Sequence, residues 1–269
     1  MELKKLFKDA LIYPTKSMDK WLILGGLLVI MNICNNLEYF RFLSIESTEF
    51  LSTSVLLFIF AILGFVIALI TQGYSLSIIK NTIHSVHEDA PEFDFQKNIV
   101  DGIKLFVLGI VYFIIPFLIT FILAFATGAF NSIYKLAPYV LNGTTNSIPE
   151  YHLVSAGLSF ILPFVIGSIL FITFCLLYTV AKAVLAETGN LTEASNMPDV
   201  FRKIGEIKWG NYIIWIIVLV FIQIILAIFV GAISSIPFIG FIIAILIIKS
   251  FEKMFQARAI GLIYSKAKN

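Results

Sequence analysis

Residues 84–106, HSVHEDAPEFDFQKNIVDGIKLF, separate two long apolar runs of the chain. The stretch contains five carboxylates and two of the three histidines of a protein that is 59% hydrophobic and only 13% charged. Soluble domains carry about 25% charged residues, so a chain this poor in charge cannot cover a globular surface with polar groups. The stretch therefore predicts a polar turn between two segments that lie in a membrane.

Apolar runs on both sides of this turn approach or exceed the length that a bilayer requires, which is about 20 residues per helix. They lie around residues 55–72, 105–127, 155–181, 210–231 and 236–250. A shorter run, 21–33, spans the bilayer only if its helix extends in both directions; otherwise it is re-entrant. We therefore predict an all-α integral membrane protein with six transmembrane helices, arranged as three hairpins in a single membrane domain, 1–269.

The basic residues fall almost entirely on one side of these six spans. Four segments share that side and contain 17 of the 19 Lys and Arg residues: 1–20, 73–104, 182–209 and 249–269. Because basic residues concentrate in cytoplasmic loops, this asymmetry predicts a cytoplasmic-membrane protein with both termini in the cytoplasm. The net charge is only +2, so nucleic acid is not an expected partner.

Three charged segments, 3–11, 94–104 and 199–208, carry apolar residues at helical spacing and precede apolar spans. Asp94 and Asp199 stand at the predicted helix starts, where a carboxylate caps free N–H groups. Each segment predicts a short amphipathic helix in the cytoplasmic headgroup layer, which we call an interfacial elbow. The expected elbow residues are Lys4, Lys5, Lys8, Asp94, Lys97, Lys104, Asp199, Arg202, Lys203 and Lys208.

The elbows divide the chain into similar parts. An elbow followed by a hairpin recurs in 1–81, 94–182 and 199–269, which suits a loose threefold repeat. The alternative is that any cytoplasmic loop re-entering a membrane shows this pattern.

Small residues four positions apart mark expected close contacts between spans. Such pairs are Gly64/Ala68, Ala124/Gly128 and Gly240/Ala244. Pro237, which follows two serines, predicts the start of the last helix.

The sequence gives no indication of catalysis or ion transport. The middles of the predicted spans contain no Asp, Glu, Lys, Arg or His, the residue types that are usually functional at membrane depth. The chain also lacks a phosphate-binding Gly-Lys-Ser/Thr loop, a His-Glu-x-x-His motif and a Gly-x-Ser-x-Gly motif. We predict no catalytic residue and no cofactor. The expected role is non-enzymatic binding of membrane lipids, of a protein partner or of a second copy of the chain.

His84, His87 and Glu88 are weak candidates for a metal site, because i, i+3, i+4 spacing puts all three on one helix face. No fourth ligand is indicated nearby, and an exposed helix end explains the same residues, so no metal is predicted. An enzyme acting on lipid at the interface would require one of these histidines to converge with carboxylates of the stretch, namely Glu88, Asp89, Glu92 and Asp94.

A transporter or channel for a neutral or lipid-like solute is the alternative function. Such proteins use kinked helices and polar but uncharged linings. Pro116 and Pro163 fall within spans and predict kinks. The candidate lining residues, which would have to face a water-accessible cavity, are Tyr112, Thr120, Ser168, Thr173 and Gln223.

Two blocks of the sequence resemble a known family. The first comprises Gln72-Gly-Tyr74, His87-Glu-Asp-Ala-Pro-Glu-Phe-Asp94 and Val100-Asp-Gly-Ile-Lys-Leu105; the second includes Trp209-Gly-Asn-Tyr212 and Ile236-Pro-Phe-Ile-Gly240. They are similar to an uncharacterised family of prokaryotic, largely archaeal, multi-pass membrane proteins, known only as a domain of unknown function. Ala90 and Phe95 depart from that family's pattern. The resemblance implies a prokaryotic cytoplasmic-membrane protein and carries no activity with it.

Overall fold

A computed structural model describes residues 3–36, 50–84, 89–237 and 239–266, and these residues form helices and no strand. The α-helices are α1 (Leu3–Lys16), α2 (Met18–Asn35), α3 (Phe50–His84), α4 (Phe95–Ala126), α5 (Ala129–Leu141), α6 (Glu150–Thr188), α7 (Leu191–Ser195), α8 (Met197–Ile207), α9 (Trp209–Ser234), α10 (Gly240–Ile243) and α11 (Ser250–Ser265). A 3-10 turn covers Thr145–Ser147, and a π-helical segment, Ala244–Lys249, joins α10 to α11. The predicted all-α class is confirmed.

Five helical segments are long and apolar enough to cross a membrane: Met18–Asn35, Leu57–His84, Phe95–Ala126, Glu150–Thr188 and Trp209–Ser234. Large apolar side chains on them are exposed, such as Phe117, Phe164 and Phe221. A surface of this kind is unfavourable in water and suits contact with lipid, so these are the features of a membrane protein. The first segment reaches the required length because α2 extends beyond the predicted run 21–33 at both ends.

The sixth predicted span, 236–250, is not among these five. Its helix begins at Gly240, so the prediction that Pro237 starts it is wrong by three residues. The reason is a turn, in which the N–H of Ile239 donates to the carbonyl oxygen of Pro237 at 2.8 Å. The hydrogen-bond pattern then changes over Ala244–Lys249, so no single α-helix covers the run.

The three predicted elbows differ in how they connect to the spans. α1 is separated from α2 at Ser17, and α8 is separated from α9 at Lys208, whose φ of 73° lies in the left-handed region. Segment 94–104, by contrast, begins α4, which continues without a break to Ala126. A separate second elbow helix is therefore wrong. No proline interrupts residues 95–115, so the polar first turns and the apolar run propagate as one helix.

The chain forms two compact units. Unit 1 comprises Met1–Val107 and Val180–Asn269, and unit 2 comprises Leu108–Thr179. α4 and α6 each continue from one unit into the other. Unit 2 also contains α5, which the sequence analysis did not predict.

The core of unit 1 is rich in aromatic side chains. α11 packs on α3 and on α1, and α2 packs on α3 and on the π-helical segment. Phe7 of α1 lies with its ring centroid 6.4 Å from those of Trp215 and Phe255. The largest fully buried side chains of this unit are Trp215, Tyr13, Tyr74, Tyr212, Tyr264 and Phe255. The apolar side of α1 therefore packs on the protein's own chain.

Two glycines bring the backbones of α3 and α4 into contact within unit 1. A Cβ atom at Gly73 would overlap the carbonyl oxygen of Asn98, and a Cβ atom at Gly102 would overlap that of Leu69. Between them, Ser77 donates from its hydroxyl to the side-chain oxygen of the buried Asn98 at 3.2 Å. Because a residue without a side chain is required on each helix, the start of α4 has one fixed position against α3.

Gly73→Ala and Gly102→Ala should each destabilise the protein, because the added methyl group forces the two helices apart. Overpacking of this kind costs about 1–3 kcal/mol, and the thermal unfolding midpoint in mild detergent should fall accordingly. Gly205→Ala is the matched control, since a Cβ atom at Gly205 would meet nothing within 4 Å and alanine favours a helix. A midpoint for Gly73→Ala equal to that of Gly205→Ala would contradict the backbone contact.

Candidate functional site: a polar layer in unit 1

Hydrogen bonds and ion pairs within unit 1 join the four segments 1–20, 73–104, 182–209 and 249–269. The side chains that make them are Asp9, Ser17, Lys20, His84, Glu92, Lys104, Glu187, Arg258 and Tyr264. We call this set the polar layer. Its members lie in α1, in α2 and between the two, in α3 and the loop after it, in α4, near the end of α6 and in α11.

Arg258 of α11 is a buried charge in the polar layer. Its Nε donates to Asp9 Oδ1 at 2.8 Å, and one terminal nitrogen donates to the hydroxyl of Thr82 at 3.4 Å. The guanidinium also lies 4.8 Å from the ring centroid of Tyr13. Burial raises the pKa of Tyr13 to about 12, although the charge of Arg258 opposes this shift. Because a buried guanidinium requires a carboxylate partner, Asp9 fixes α1 against α11.

The acidic loop, 89–94, is held against α3. The hydroxyl of Tyr74 donates to the carbonyl oxygen of Pro91 at 3.0 Å, and its ring stacks on Phe93 with a centroid distance of 3.7 Å. The side-chain amide of Asn81 donates to the carbonyl oxygen of Asp89 at 3.1 Å. Three carboxylates of the opening stretch, those of Asp89, Glu92 and Asp94, are exposed here. The loop is a fixed turn that presents them to solvent.

Asp94 begins α4, as the sequence predicts. The helix starts at Phe95, and the backbone N–H of Lys97 donates to Asp94 Oδ1 at 3.1 Å. The carboxylate therefore satisfies one of the free N–H groups of the first turn.

Two contacts link the acidic loop to the region where α1 ends and α2 begins. The backbone N–H of Ala90 donates to the hydroxyl of Ser17 at 2.9 Å, and Lys20 Nζ lies 2.8 Å from Glu92 Oε1. Ser17 and Ala90 are both buried. Since a buried N–H costs free energy when it has no acceptor, the serine hydroxyl is a specific requirement at this position.

The end of α6 completes the polar layer. His84 Nε2 lies 3.3 Å from the carbonyl oxygen of Glu187, and Lys104 Nζ donates to the carbonyl oxygen of Gly189 at 3.1 Å. The carboxylate of Glu187 accepts the hydroxyl of Tyr264. Burial and this hydrogen bond raise the pKa of Tyr264. Segment 182–209 is thus joined to both 73–104 and 249–269.

An open polar cleft of about 440 Å³ lies among these groups. Its lining residues are Ser77, Lys80, Asn81, His84, Pro91, Glu92, Asp94, Lys97 and Glu187. The lining contains both lysine cations and carboxylates, so it suits a polar ligand of mixed charge. Of the carboxylates that an enzyme acting on lipid would require beside a histidine, Glu92 and Asp94 line this cleft together with His84; Asp89 is not part of the lining, and Glu88 lies outside the described residues.

Of the weak metal candidates, only His84 lies within the described residues; His87 and Glu88 lie outside them. In the part of the chain that is described, no group of three His, Cys, Asp or Glu residues is placed to hold a metal ion.

The predicted elbow residues lie mainly on accessible faces. Lys4, Lys5 and Lys8 of α1 are exposed, and no ion pair joins them to a described carboxylate. In α8, Arg202 lies 2.9 Å from Asp199 and Lys203 lies near Glu206, whereas the opposite face is buried. The remaining elbow residues are Asp94, Lys97 and Lys208, which are exposed, and Lys104, which reaches Gly189. Contact of these residues with lipid stays a prediction.

Two of the five predicted lining residues, Thr120 and Ser168, line an apolar cleft of about 440 Å³ in unit 2 together with Pro116 and Pro163. The hydroxyl of Thr120 donates back to the carbonyl oxygen of Pro116 at 2.7 Å. A threonine in a helix can donate in this way to the carbonyl oxygen four residues before it, so the hydrogen of this hydroxyl is used within the helix itself.

The other three predicted lining residues do not line that cleft. The hydroxyl of Thr173 donates to Ile169 at 2.9 Å on an exposed helix surface. Tyr112 is buried with its ring centroid 6.0 Å from that of Tyr178. Gln223 belongs to unit 1.

A larger open cleft in unit 2, of about 890 Å³, was missed by the sequence reading. Lys135 and Glu150 are part of its lining, and the buried hydroxyls of Ser132 and Ser159 lie 3.0 Å apart within it. The signal that could have located this cleft is a helix over 129–141, which the sequence analysis did not predict.

Comparison with known proteins agrees with the residues that carried the family resemblance. The sequence model of a family described as "Protein of unknown function (DUF4013)" matches residues 56–235. The chain belongs to this family. The DUF4013 match includes Gly73, Gly102 and the acidic loop, but it excludes α1 and α11, which contribute Asp9 and Arg258. No match was found among curated proteins or solved structures.

Ser17→Ala should loosen the acidic loop, because the buried N–H of Ala90 loses its acceptor. An unsatisfied buried donor costs about 1–3 kcal/mol, so amide hydrogen exchange of residues 89–94 should accelerate roughly tenfold, as a 1.4 kcal/mol change implies. Thr15→Ala is the control: its exposed hydroxyl donates only to Ile12 of its own helix. If both variants exchange alike over this loop, the hydrogen bond from Ala90 to Ser17 does not hold the loop in place.

Proposed function

We propose that this DUF4013 protein resides in the cytoplasmic membrane with the polar layer and both termini on the cytoplasmic side. The supporting observation is that the four segments holding 17 of the 19 basic residues also contact one another within unit 1. Segments separated by a bilayer cannot exchange hydrogen bonds. The side rich in Lys and Arg is the cytoplasmic one.

The same contacts support six spans arranged as three hairpins. Two residues that touch on one side of a membrane must be separated by an even number of crossings. Glu187 precedes α9 and Tyr264 follows it, and the two are hydrogen-bonded. If α9 crosses the bilayer once, the chain must return through α10 and the π-helical segment. The sixth crossing is then made by the run 236–250, which no single α-helix covers.

Thiol labelling tests this arrangement. With Cys34 and Cys175 replaced by alanine, single cysteines are introduced as Lys5→Cys, Lys135→Cys and Lys266→Cys. A membrane-impermeant reagent applied to intact cells should label only Lys135→Cys, and the other two should react after the cells are opened. Labelling of Lys5→Cys and Lys266→Cys from opposite sides would contradict an even number of spans.

We further propose a non-enzymatic role in which α1 binds anionic lipid headgroups. The observation that carries this proposal is the way α1 is attached: Phe7 packs in the core, and Asp9 is bonded to Arg258. The helix is therefore fixed with Lys4, Lys5 and Lys8 exposed. Basic residues next to a membrane attract anionic lipid with about 1 kcal/mol each. A protein partner or a second copy would meet the same surface.

The triple variant Lys4→Gln, Lys5→Gln, Lys8→Gln should therefore retain less phosphatidylglycerol. The protein is reconstituted with phosphatidylglycerol and phosphatidylcholine and re-extracted in mild detergent, and the bound lipids are measured by mass spectrometry. Lys5→Gln alone should lower the phosphatidylglycerol fraction by up to about fivefold, as 1 kcal/mol implies. Its one-for-one control is Lys135→Gln, in unit 2, which should change nothing. Unchanged lipid in the triple variant, with a protein that co-purifies only with the unaltered chain, would favour the partner instead.

The clefts of unit 2 favour a second proposal, a transporter or channel for a neutral or lipid-like solute. The cleft with Thr120 and Ser168 lies between two prolines of membrane-crossing helices, a place where transporters form binding sites. Solute flux in proteoliposomes above that of protein-free liposomes would support this second proposal over the first.

A further inference from the structure

The open cleft of about 890 Å³ in unit 2 lies between one face of α5 and one face of α6. Its lining residues recur at helical spacing on each helix, at Ser132 and Lys135 of α5 and at Glu150, Val154 and Leu158 of α6. Residues three or four positions apart share a helix face. The volume is within the range of small-molecule sites, so two helix faces together form a cleft large enough for a ligand.

Lys135 and Glu150 bring opposite charges to this cleft. Both side chains are exposed, and neither forms an ion pair or a hydrogen bond with another residue in the described part of the chain. Their charges are therefore available to a ligand. A ligand that contacts both is matched best when it carries a negative group for Lys135 and a positive group for Glu150.

Two buried serines determine which hydrogen-bonding groups the cleft offers beside these charges. The hydroxyl of Ser159 donates to the carbonyl oxygen of Ala156 at 2.8 Å, so Ser132 is the donor in the 3.0 Å contact between the two hydroxyls. A hydroxyl has one hydrogen to donate, and both hydrogens are thus used within the protein. Ser132, which is only 8% exposed, offers its oxygen as an acceptor. Since the carboxylate of Glu150 is an acceptor too, the positive group of the ligand has to be a hydrogen-bond donor, as an ammonium is.

The cleft lies where two apolar runs end. The run 105–127 ends and the run 155–181 begins at residues of the lining, Thr127 and Ser155. Val154 and Leu158 belong to the same lining and are 55% and 66% exposed. Exposed apolar side chains next to a membrane span suit contact with acyl chains. The ligand therefore has an apolar part beside its two charges.

We infer that this cleft binds the headgroup of a membrane phospholipid that carries a primary ammonium beside its phosphate, as phosphatidylethanolamine does. The ammonium donates to Glu150 and to the oxygen of Ser132, and Lys135 pairs with the phosphate. The acyl chains lie along Val154 and Leu158. In the proposed orientation this lipid belongs to the outer leaflet. The inference rests on the proposed crossing of the membrane by α4 and α6 and is independent of α1.

Two other phospholipids lack one part of this match. Phosphatidylcholine has the same charges, but its trimethylated nitrogen has no N–H to donate. Phosphatidylglycerol has no ammonium, so its negative phosphate would meet the carboxylate of Glu150 without compensation. Lys135→Gln therefore remains a valid control for phosphatidylglycerol bound at α1.

Native mass spectrometry of the full chain in mild detergent tests the site, with phosphatidylethanolamine and phosphatidylcholine as separate ligands. The unaltered protein should bind phosphatidylethanolamine about tenfold more tightly, the usual effect of a hydrogen bond to a charged group. Glu150→Gln should remove most of this preference. Lys135→Gln should weaken the binding of both lipids about fivefold, as expected for one basic residue at a membrane surface. The matched controls are Glu206→Gln and Lys266→Gln, in unit 1, which should bind like the unaltered protein.

Ser132→Ala separates ligand binding from folding. The substitution removes an acceptor of the ammonium, whereas the hydroxyl of Ser159 keeps its partner at Ala156. The unfolding midpoint should therefore stay close to that of the unaltered protein, and phosphatidylethanolamine binding should weaken about fivefold.

Equal affinity of the unaltered protein for the two lipids would overturn the inference. Equal affinity for glycerophosphoethanolamine, which has the same headgroup without acyl chains, would also overturn it, because the site would then belong to a soluble zwitterion. If Glu150→Gln does not purify as a folded protein, Ser132→Ala decides: unchanged phosphatidylethanolamine binding with an unchanged midpoint rejects the site.

This site and the proposed role of α1 fail separately. The triple variant of α1 leaves the cleft intact, so it should keep the preference for phosphatidylethanolamine while it loses phosphatidylglycerol. Loss of phosphatidylglycerol in the triple variant, with no preference between the two zwitterionic lipids in the unaltered protein, would reject only the cleft. The opposite result would reject only the role of α1.

Discussion

The backbone contact between α3 and α4 is the constraint on which the organisation of unit 1 depends. Because Gly73 has no side chain, the carbonyl oxygen of Asn98 in α4 lies directly against α3. In the same way, Gly102 lets the carbonyl oxygen of Leu69 in α3 lie directly against α4. With the crossing fixed, the acidic loop between these helices has little freedom in where it lies. Tyr74, one residue after Gly73, then reaches Pro91 and Phe93. The loop in turn contacts Ser17 through the backbone N–H of Ala90 and Lys20 through the carboxylate of Glu92.

This arrangement changes how the family resemblance is understood. The most recognisable stretches contain Gly73, Tyr74, Asp94 and Gly102. All four act in packing, loop attachment or helix capping. A distinctive motif in a membrane protein can thus describe how two helices cross.

Sequence reasoning succeeded where one physical rule acts alone. The low content of charged residues predicted a membrane protein. Four of the long apolar runs and the shorter run 21–33 each lie largely within one of the five helices that are long and apolar enough to cross a membrane, because lipid imposes a minimum helix length. It failed where tertiary contact decides. The pairs of small residues singled out in the sequence did not include Gly73 or Gly102, because those glycines are paired with a carbonyl of the other helix and not with each other. The bond between Asp9 and Arg258 joins residues 249 positions apart, which no local pattern can reveal. The second elbow was separated from its span by polarity alone, although nothing in its backbone ends the helix.

The position of α1 requires more than an interfacial elbow. A helix lying freely in the headgroup layer would bury its apolar side in lipid, whereas Leu6, Phe7 and Ala10 are buried within the protein. Without α1, the charge of Arg258 would lose its carboxylate, and Trp215 and Phe255 would lose the ring that contacts both. α1 is therefore part of the fold of unit 1, although it precedes the matched DUF4013 region. Its lysines owe their exposure to that attachment: a helix fixed on one side by packing and an ion pair presents its other side in one orientation. This is the physical basis for expecting α1 to bind a charged surface.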